Sequence, residues 1–284
     1  MVPMSVVICC ANAEATLPAA LASCGWADEV LVVDSGSADA TEAIARARAT
    51  RYLQEPWRGY RDQKKFAVEQ ARHDWVLVLD GDEEVSAPLA RQIGKLTAEV
   101  LEGLDVIYVP RQNWVLGRRV RAWSPDWQSR LIHRDRVTWP EEALHEDRRP
   151  RDPARTLRLS GHLEHKRVGP REWADYFSGR RMDERLTMVA RQMHERGKRA
   201  SFGDLLLRPW GAFFKFYIFK GAWRDGAFGL LIAQKAAVSV QLKYARLWAL
   251  QHQETRPPEP RSPGPADDPS PPPATRPPHE EVST

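Results

Sequence analysis

The sequence predicts an α/β fold built on a mostly parallel sheet. Three observations carry this. Short apolar runs without alternation recur through the first eighty residues, as strands buried on both faces require. Helical stretches separate them with short connections, the order that gives right-handed parallel crossovers. Two of the runs, Glu29 to Asp34 and Trp75 to Asp80, stop at a carboxylate, and ligands of such sheets bind outside the carboxyl ends of the strands.

The elements follow in order. Met4 to Cys10 is a strand by its β-branched run, and Cys9 and Cys10 should point to opposite faces as small apolar residues. Asn12 to Ser23 has helical spacing at Leu17, Ala20 and Leu21, with Pro18 in the first turns, where proline is tolerated. After the strand ending in Asp34 come a Ser35 to Asp39 turn and an alanine-rich helix, Ala40 to Ala49. A short strand near Tyr52-Leu53, a loop at Pro56 to Tyr60 and a helix from Asp62 to Ala71 lead to Trp75 to Leu79. Leu89 to Leu101 reads as one helix, Asp105 to Pro110 as a strand, and Trp173 to Met193 and Gly226 to Leu250 as helices.

Asp80-Gly81-Asp82-Glu83-Glu84 is the chemically informative stretch. Carboxylates crowded at the mouth of a buried strand repel one another, and a hard divalent cation such as Mg²⁺ removes that cost. Gly81 is expected to let the backbone turn so that Asp80 and Asp82 approach one centre. The plain alternative is an Asp-Gly turn followed by solvated acids.

Composition divides the chain. Of 22 prolines, 11 lie between Pro257 and Pro278, and residues 255–284 hold only Val282 as an aliphatic side chain larger than alanine. That tail cannot bury enough to offset its ordering entropy, so a disordered, Pro-rich tail is expected. The formal charge is +4, and about +6 without the tail. Three cysteines, two of them adjacent, give no disulfide framework and suit a reducing compartment. The N-terminus shows no basic segment followed by an apolar run, so no secretion signal is expected, and no uncharged apolar stretch reaches the length of a membrane span.

Arg111 to Arg136 carries 7 Arg with Trp114, Trp123 and Trp127. This pattern suits single-stranded nucleic acid, or phosphates and sugar rings, or a β-meander with solvated Arg and core Trp side chains. Leu205 to Leu250 is apolar, aromatic and basic together, as for a membrane-surface platform or a helical bundle packed on the main domain. The expected organisation is a catalytic domain over residues 1–170, a helical region over 171–254 and the tail from 255.

Ser5 to Ile8 with Asn12 and Glu14, Trp26 to Val30 running into Val32 to Ser37, Gln63 to Ala67, and Trp75 to Glu83 together resemble family 2 glycosyltransferases. More narrowly the chain is similar to the branch that adds sugars to the lipopolysaccharide core, the β-1,4-glucosyltransferase-like group. The likeness continues through Pro110 to Asn113, Leu116-Gly117, Pro125-Asp126, Arg130-Leu131, His145-Glu146, His165 and Leu242 to Ala245. It covers about 1–250.

The resemblance implies a GT-A fold and inverting transfer of a hexose from a nucleotide-sugar, a UDP-sugar by preference. Asp34 is then expected at the nucleobase, Asn12 and Glu14 at base or ribose, and Lys64 near the diphosphate. Asp80 and Asp82 are similar to the family's Asp-X-Asp, which holds ribose and a Mg²⁺ or Mn²⁺ ion, with His165 as a further ligand and His162 as its competitor. The general base is expected at Glu146, with Asp126 the main competitor and Glu141 and Glu142 also in range. Arg111 and Arg130 are candidates to steady phosphates. Two departures stand out: Cys10-Ala11 replaces a usual Thr-Tyr, whose tyrosine packs on the base, and Lys65 replaces a frequent Asn.

The implied acceptor is a phosphorylated glycolipid or lipopolysaccharide core, met at the cytoplasmic face of the inner membrane, with no nucleic-acid partner. Two other readings stay open. A nucleotidyltransferase also uses a parallel sheet, carboxylates and Mg²⁺, but lacks here its Gly-rich loop, Asn12 to Thr16 standing instead. A nonenzymatic binder of RNA or anionic lipid would use the positive surface.

Overall fold

In the computed structural model the described residues are 2–140, 148–167 and 180–253. The expected tail and Glu141, Glu142, His145 and Glu146 lie outside them.

The first half alternates β1 (Met4–Cys10), α1 (Leu17–Ala22), β2 (Glu29–Asp34), α2 (Thr41–Arg48), β3 (Arg51–Gln54), α3 (Tyr60–Glu69) and β4 (Trp75–Asp80). These strands pair in parallel in the order β3-β2-β1-β4. Strand β1 is central because its side chains are buried on both faces. Val6, Ile8 and Cys10 pack with Leu17 and Leu21 on one side, and Val7 packs with Ala67 and Val68 on the other. The partly buried Cys9 joins that second side, so the two cysteines do face apart. The register sets Cys10 beside Asp34 and Cys9 beside Asp80, so the carboxyl ends of β2 and β4 flank that of β1.

The second half is not parallel throughout. It comprises β5 (Glu83–Val85), α4 (Ala87–Ile93), α5 (Ala98–Glu102), β6 (Val106–Val115), β7 (Arg118–Arg119), β8 (Asp126–His133), β9 (Val137–Thr138), β10 (Arg149–Pro150), β11 (Thr156–Arg158) and β12 (Leu163–Arg167). Strand β8 enters antiparallel between β4 and β6, and the sheet continues through β12 to β5. Strand β12 runs parallel to β6 and antiparallel to β5, which brings His165 opposite both Asn113 and Glu83. Residues 83–85, next in sequence to the β4 acids, therefore return on the far side of β12.

Three local expectations are corrected. The first helix begins at Leu17, not Asn12, because Asn12 adopts φ 50° and the chain turns through Ala13 to Thr16. The helix expected over Leu89 to Leu101 is two, ended at Gly94 and restarted by Thr97, whose hydroxyl caps the Val100 amide. The chain does turn at Gly81, but what requires glycine there is space. A Cβ there would lie 2.8 Å from the Cys10 Cβ and 3.2 Å from the Ala13 Cβ, so its role is close approach. Gly81→Ala is expected to cost about 1–3 kcal/mol by overpacking, measured by chemical denaturation. An unchanged midpoint would show that the loop gives way.

Helices α6 (Arg180–Glu195), α7 (Phe202–Phe214) and α8 (Gly226–Gln253) form the C-terminal region. Helix α7 opens on a Ser201/Asp204 capping box. Helix α8 starts after a short turn and passes so close to it that a Cβ on Gly229 would meet the Ala222 carbonyl. The region docks on the sheet where Ile232 and Phe228 pack against Val115, Val120 and Trp123, with Arg121 ion-paired to Asp225 at 3.3 Å. Among the described residues no helix is long and apolar enough to cross a membrane.

Candidate active site

The ends of β1, β2 and β4 carry the predicted residues, and they fall into three groups. In the first, Asp34 is 1% exposed and saturated from within. Ser37 donates to its Oδ1 through Oγ at 2.6 Å and backbone N–H at 3.1 Å, and the Tyr52 hydroxyl donates to Oδ2 at 3.0 Å. Burial and the Asp34 charge push the Tyr52 phenol up to about 12, which keeps it a donor. Asn12 Oδ1 accepts from the Ala38 N–H at 2.9 Å and Glu14 Oε2 from the Ala40 N–H at 3.1 Å. Asn12 and Glu14 thus tie the loop after β1 to the loop after β2, framing the edge where Asp34 sits.

The second group is a chain of alternating charges. Lys64, 4% exposed, reaches from α3 to Asp80 Oδ1 at 2.5 Å, and Arg130 from β8 reaches Asp80 Oδ2 at 2.9 Å. Arg130 also binds Glu83 Oε1 at 2.5 Å. Glu83 Oε1 accepts from Arg111 at 3.0 Å, and Arg111 reaches Asp126 Oδ2 at 2.8 Å. Glu83 accepts the Asp80 backbone N–H at 3.1 Å as well, which pins the turn after β4. Arg130 and Glu83 are 1% and 0% exposed, so neither tolerates loss of its partner. Arg130 thus faces the internal carboxylates of Asp80 and Glu83.

Burial alone would raise the Asp80 carboxyl, but the charges of Lys64 and Arg130 outweigh it and hold the group well below the usual carboxylate range. Asp80 therefore contributes stability that is fully present above about pH 4, the unfolded-chain value, and is lost as pH falls through its lower folded value. Thermal melts of the wild type are expected to drop progressively below about pH 4. In Asp80→Asn that slope should be shallower, and equal slopes would mean that the ion pairs carry no net stability.

The third group is Asp82, His165 and Asn113. The Asn113 Nδ2 donates to the Trp123 carbonyl at 2.8 Å, so its Oδ1 faces His165 Nδ1 at 2.7 Å and the proton of the imidazole belongs on Nδ1. His165 Nε2 is left 3.1 Å from Asp82 Oδ2. In the neutral ring this sets a nitrogen lone pair against a carboxylate, an arrangement that a proton or a cation relieves. The Lys166 N–H holds the Asp82 carbonyl at 3.2 Å, fixing this loop on β12. One carboxylate and one imidazole with a hydrogen-bonded outer partner are donor types that suit Mg²⁺ or Mn²⁺, and among the described residues no third carboxylate, imidazole or thiolate joins them. His162 pairs instead with Glu164 at 2.8 Å.

A cavity of about 370 Å³ adjoins this group. Among the described residues its lining includes His165, Arg111 and Asp126 and, from the C-terminal region, Phe216, Lys220 and Lys235.

Residues 5–147 match glycosyl transferase family 2. The lipopolysaccharide core biosynthesis glycosyltransferase LpsC of Rhizobium meliloti (strain 1021) is 30% identical over 276 residues, spanning 90% of this chain and 95% of that protein. This chain belongs to glycosyltransferase family 2. An uncharacterized glycosyltransferase of Rickettsia typhi shares 40% identity over 94 residues, 33% of this chain and 32% of its own. A mannosyltransferase from Pyrobaculum calidifontis, solved with GDP-Man and Mn²⁺, superposes with a TM-score of 0.48 at 14% identity over 90% of this chain and 89% of that one.

In this family 2 glycosyltransferase the fold thus joins Lys64 to Asp80, Asp82 to His165, and Asn12 and Glu14 to the loop beside Asp34. Asp126 joins them through Arg111, and Glu146 lies outside the described residues. Asp80, expected at both ribose and metal, has both oxygens in ion pairs, so Asp82 is the carboxylate that faces His165. Asn113 and Glu83 were not among the predicted site residues. No spacing signal marks Asn113, whose role needs the β6–β12 register. Glu83 lay in plain sight in the acidic run.

Proposed function

We propose that this glycosyltransferase is an inverting enzyme that moves a hexose from a UDP-sugar to a glycolipid acceptor of the lipopolysaccharide-core type. The observation that carries this is the Asp82–His165 pair, oriented by Asn113 and adjoining a cavity that Asp126 also lines. Asp82 and His165 would hold Mg²⁺ or Mn²⁺. When bound, the ion supplies Lewis-acid stabilisation of the departing nucleoside diphosphate.

The protein's own side chains do the rest. Asn12, Glu14 and Asp34 frame the nucleoside end, and Lys64 the approach to the diphosphate. The acceptor oxygen attacks the anomeric carbon from the face opposite the diphosphate, the anomeric C–O bond to that group breaks, and the acceptor proton passes to a carboxylate. Glu146, in its His-Glu motif, is assigned that proton. Asp126 is the competing base because it lines the same cavity as His165.

Residues 171–254 suit a platform on the cytoplasmic face of the inner membrane. Phe202, Leu207, Trp210, Phe219 and Trp223 are all more than half exposed, with Lys215, Lys220 and Arg224 among them. Basic side chains attract anionic lipid while aromatics enter the interface. Flotation with vesicles containing phosphatidylglycerol is expected for the wild type and not for a Trp210→Ser, Phe219→Ser variant. Equal flotation would count against the platform.

The enzymatic reading is tested with a panel of nucleotide-sugars, with Mn²⁺ or with chelator. Turnover or hydrolysis of a UDP-sugar is expected with metal and not with chelator. Full activity in chelator would remove the metal role, and no turnover of any donor, together with steeply salt-dependent binding of single-stranded RNA, would favour the nonenzymatic alternative.

A further inference from the structure

Strands β6 and β7 meet in a two-residue turn, Leu116-Gly117, closed by the pairing of Val115 with Arg118. Both turn residues have positive φ, 51° at Leu116 and 69° at Gly117, the signs that a type I′ hairpin turn needs. Glycine adopts that conformation freely, and asparagine is the usual residue at the first position. A leucine there is strained, and it adds little to the core because Leu116 is 46% exposed. A Cβ on Gly117 would meet nothing within 4 Å, so the tip stands clear of the body. Arg118 and Arg119 follow and are exposed, and among the described residues neither side chain has a hydrogen-bond or ion-pair partner. Packing explains neither the open leucine nor the two cations behind it.

The hairpin stands beside the C-terminal region. Val115 and Val120 at its base pack against Phe228 and Ile232, and just beyond it Arg121 binds Asp225 at 3.3 Å. Asp225 ends the turn that carries the exposed Trp223 together with Arg224. Asp225 is neutralised by Arg121, so the cations of the tip and the turn stay in excess.

We propose that the β6–β7 hairpin is a second point of contact with an anionic bilayer, with Leu116 in the interface and Arg118 and Arg119 on the lipid phosphates. The proposal deepens the reading of the C-terminal region as a membrane-surface platform and rests on it. Two features together select lipid as the occupant. Nucleic acid would use the arginines and leave Leu116 unused, whereas an apolar protein groove would use the leucine and leave the arginines unused. The hairpin grows directly from β6, which also carries Arg111 and Asn113 of the site. A contact there sets the tilt of the catalytic domain on the surface, which attachment through the C-terminal helices alone leaves free.

Partition of the full chain onto phosphatidylcholine vesicles, with and without phosphatidylglycerol, is measured by flotation over a lipid titration, and each variant is also unfolded in urea. Leu116→Asn decides most, because asparagine suits the turn. It should fold at least as stably as wild type and bind the anionic vesicles about tenfold more weakly. Arg118→Gln, Arg119→Gln should weaken binding to the anionic vesicles about tenfold and leave binding to phosphatidylcholine alone unchanged. If both hairpin variants partition like wild type while Trp210→Ser, Phe219→Ser is impaired, the hairpin contact is overturned and the platform stands. Lower stability in Leu116→Asn would give the leucine a packing role and overturn the contact as well. Arginine-dependent binding of single-stranded RNA without vesicle binding would assign the tip to nucleic acid instead. If the wild type floats with no vesicle, the platform reading fails and the hairpin contact with it.

Discussion

Replacing Glu83 by alanine is expected to destabilise the protein by about 3–5 kcal/mol. Glu83 is fully buried and its Oε1 is shared by Arg130 and Arg111, while its Oε2 takes the Asp80 amide. Without it, two guanidinium groups lose their common partner. The more deeply buried Arg130 retains Asp80 and a long contact to the Val78 carbonyl at 3.4 Å, and neither replaces the lost carboxylate. Each guanidinium keeps one carboxylate, Asp80 for Arg130 and Asp126 for Arg111, but removing one member of a buried charge network costs more than the net worth of the intact pair. Glu83→Gln keeps the shape and one acceptor oxygen but not the charge, so it should fall between wild type and Glu83→Ala. Urea denaturation reads both. A loss under about 1 kcal/mol for Glu83→Ala would mean that water replaces the carboxylate and that the charge chain is not structural.

Asp82→Ala is expected to bring kcat/KM below about a hundredth of wild type while leaving the folding midpoint close to unchanged. Asp82 is partly exposed, and among the described residues its side chain meets only His165, so little of the fold depends on it. The informative companion is Asn113. Its proposed role involves neither donor nor acceptor, only the imidazole that it fixes by accepting from Nδ1. Asn113→Leu should therefore weaken Mn²⁺ binding about 10–100-fold, whereas Asn113→Asp, which still accepts from Nδ1 but loses the donor to the Trp123 carbonyl, should recover part of it. Electron paramagnetic resonance of Mn²⁺ with a nucleoside diphosphate present reads this directly. Equal Mn²⁺ affinity in all three proteins would show that the ring needs no orientation, and with it the assignment of Nε2 to the ion would fall.

Much of the sheet was legible because its cause is local. Each of β1, β2 and β4 is a run of apolar side chains that must be covered on both faces, and β2 and β4 stop where charge begins. Helix boundaries were less so. Pro18 permits a helix but does not say that the chain first turns through a left-handed Asn12. Gly94 and Thr97 together end one helix and cap another, yet the apolar spacing runs through both. The Arg-rich stretch fits none of its three readings whole. Arg130 is core, Arg111 is half of a charge chain, and Trp127 is 40% exposed beneath Arg158.

The chain alone determined the α/β class and the carboxylates at the strand ends, because an uninterrupted apolar run that stops at acid is a local pattern; the family came from the resemblance of the whole set of motifs. Only the tertiary structure decided what those acids face. Asp80 and Asp82 are two residues apart, yet one is claimed by Lys64 and Arg130 and the other by His165. The difference comes from β8 and β12, strands that reach the site from residues far along the chain, and strand register is a property of pairs, which no single stretch of sequence contains.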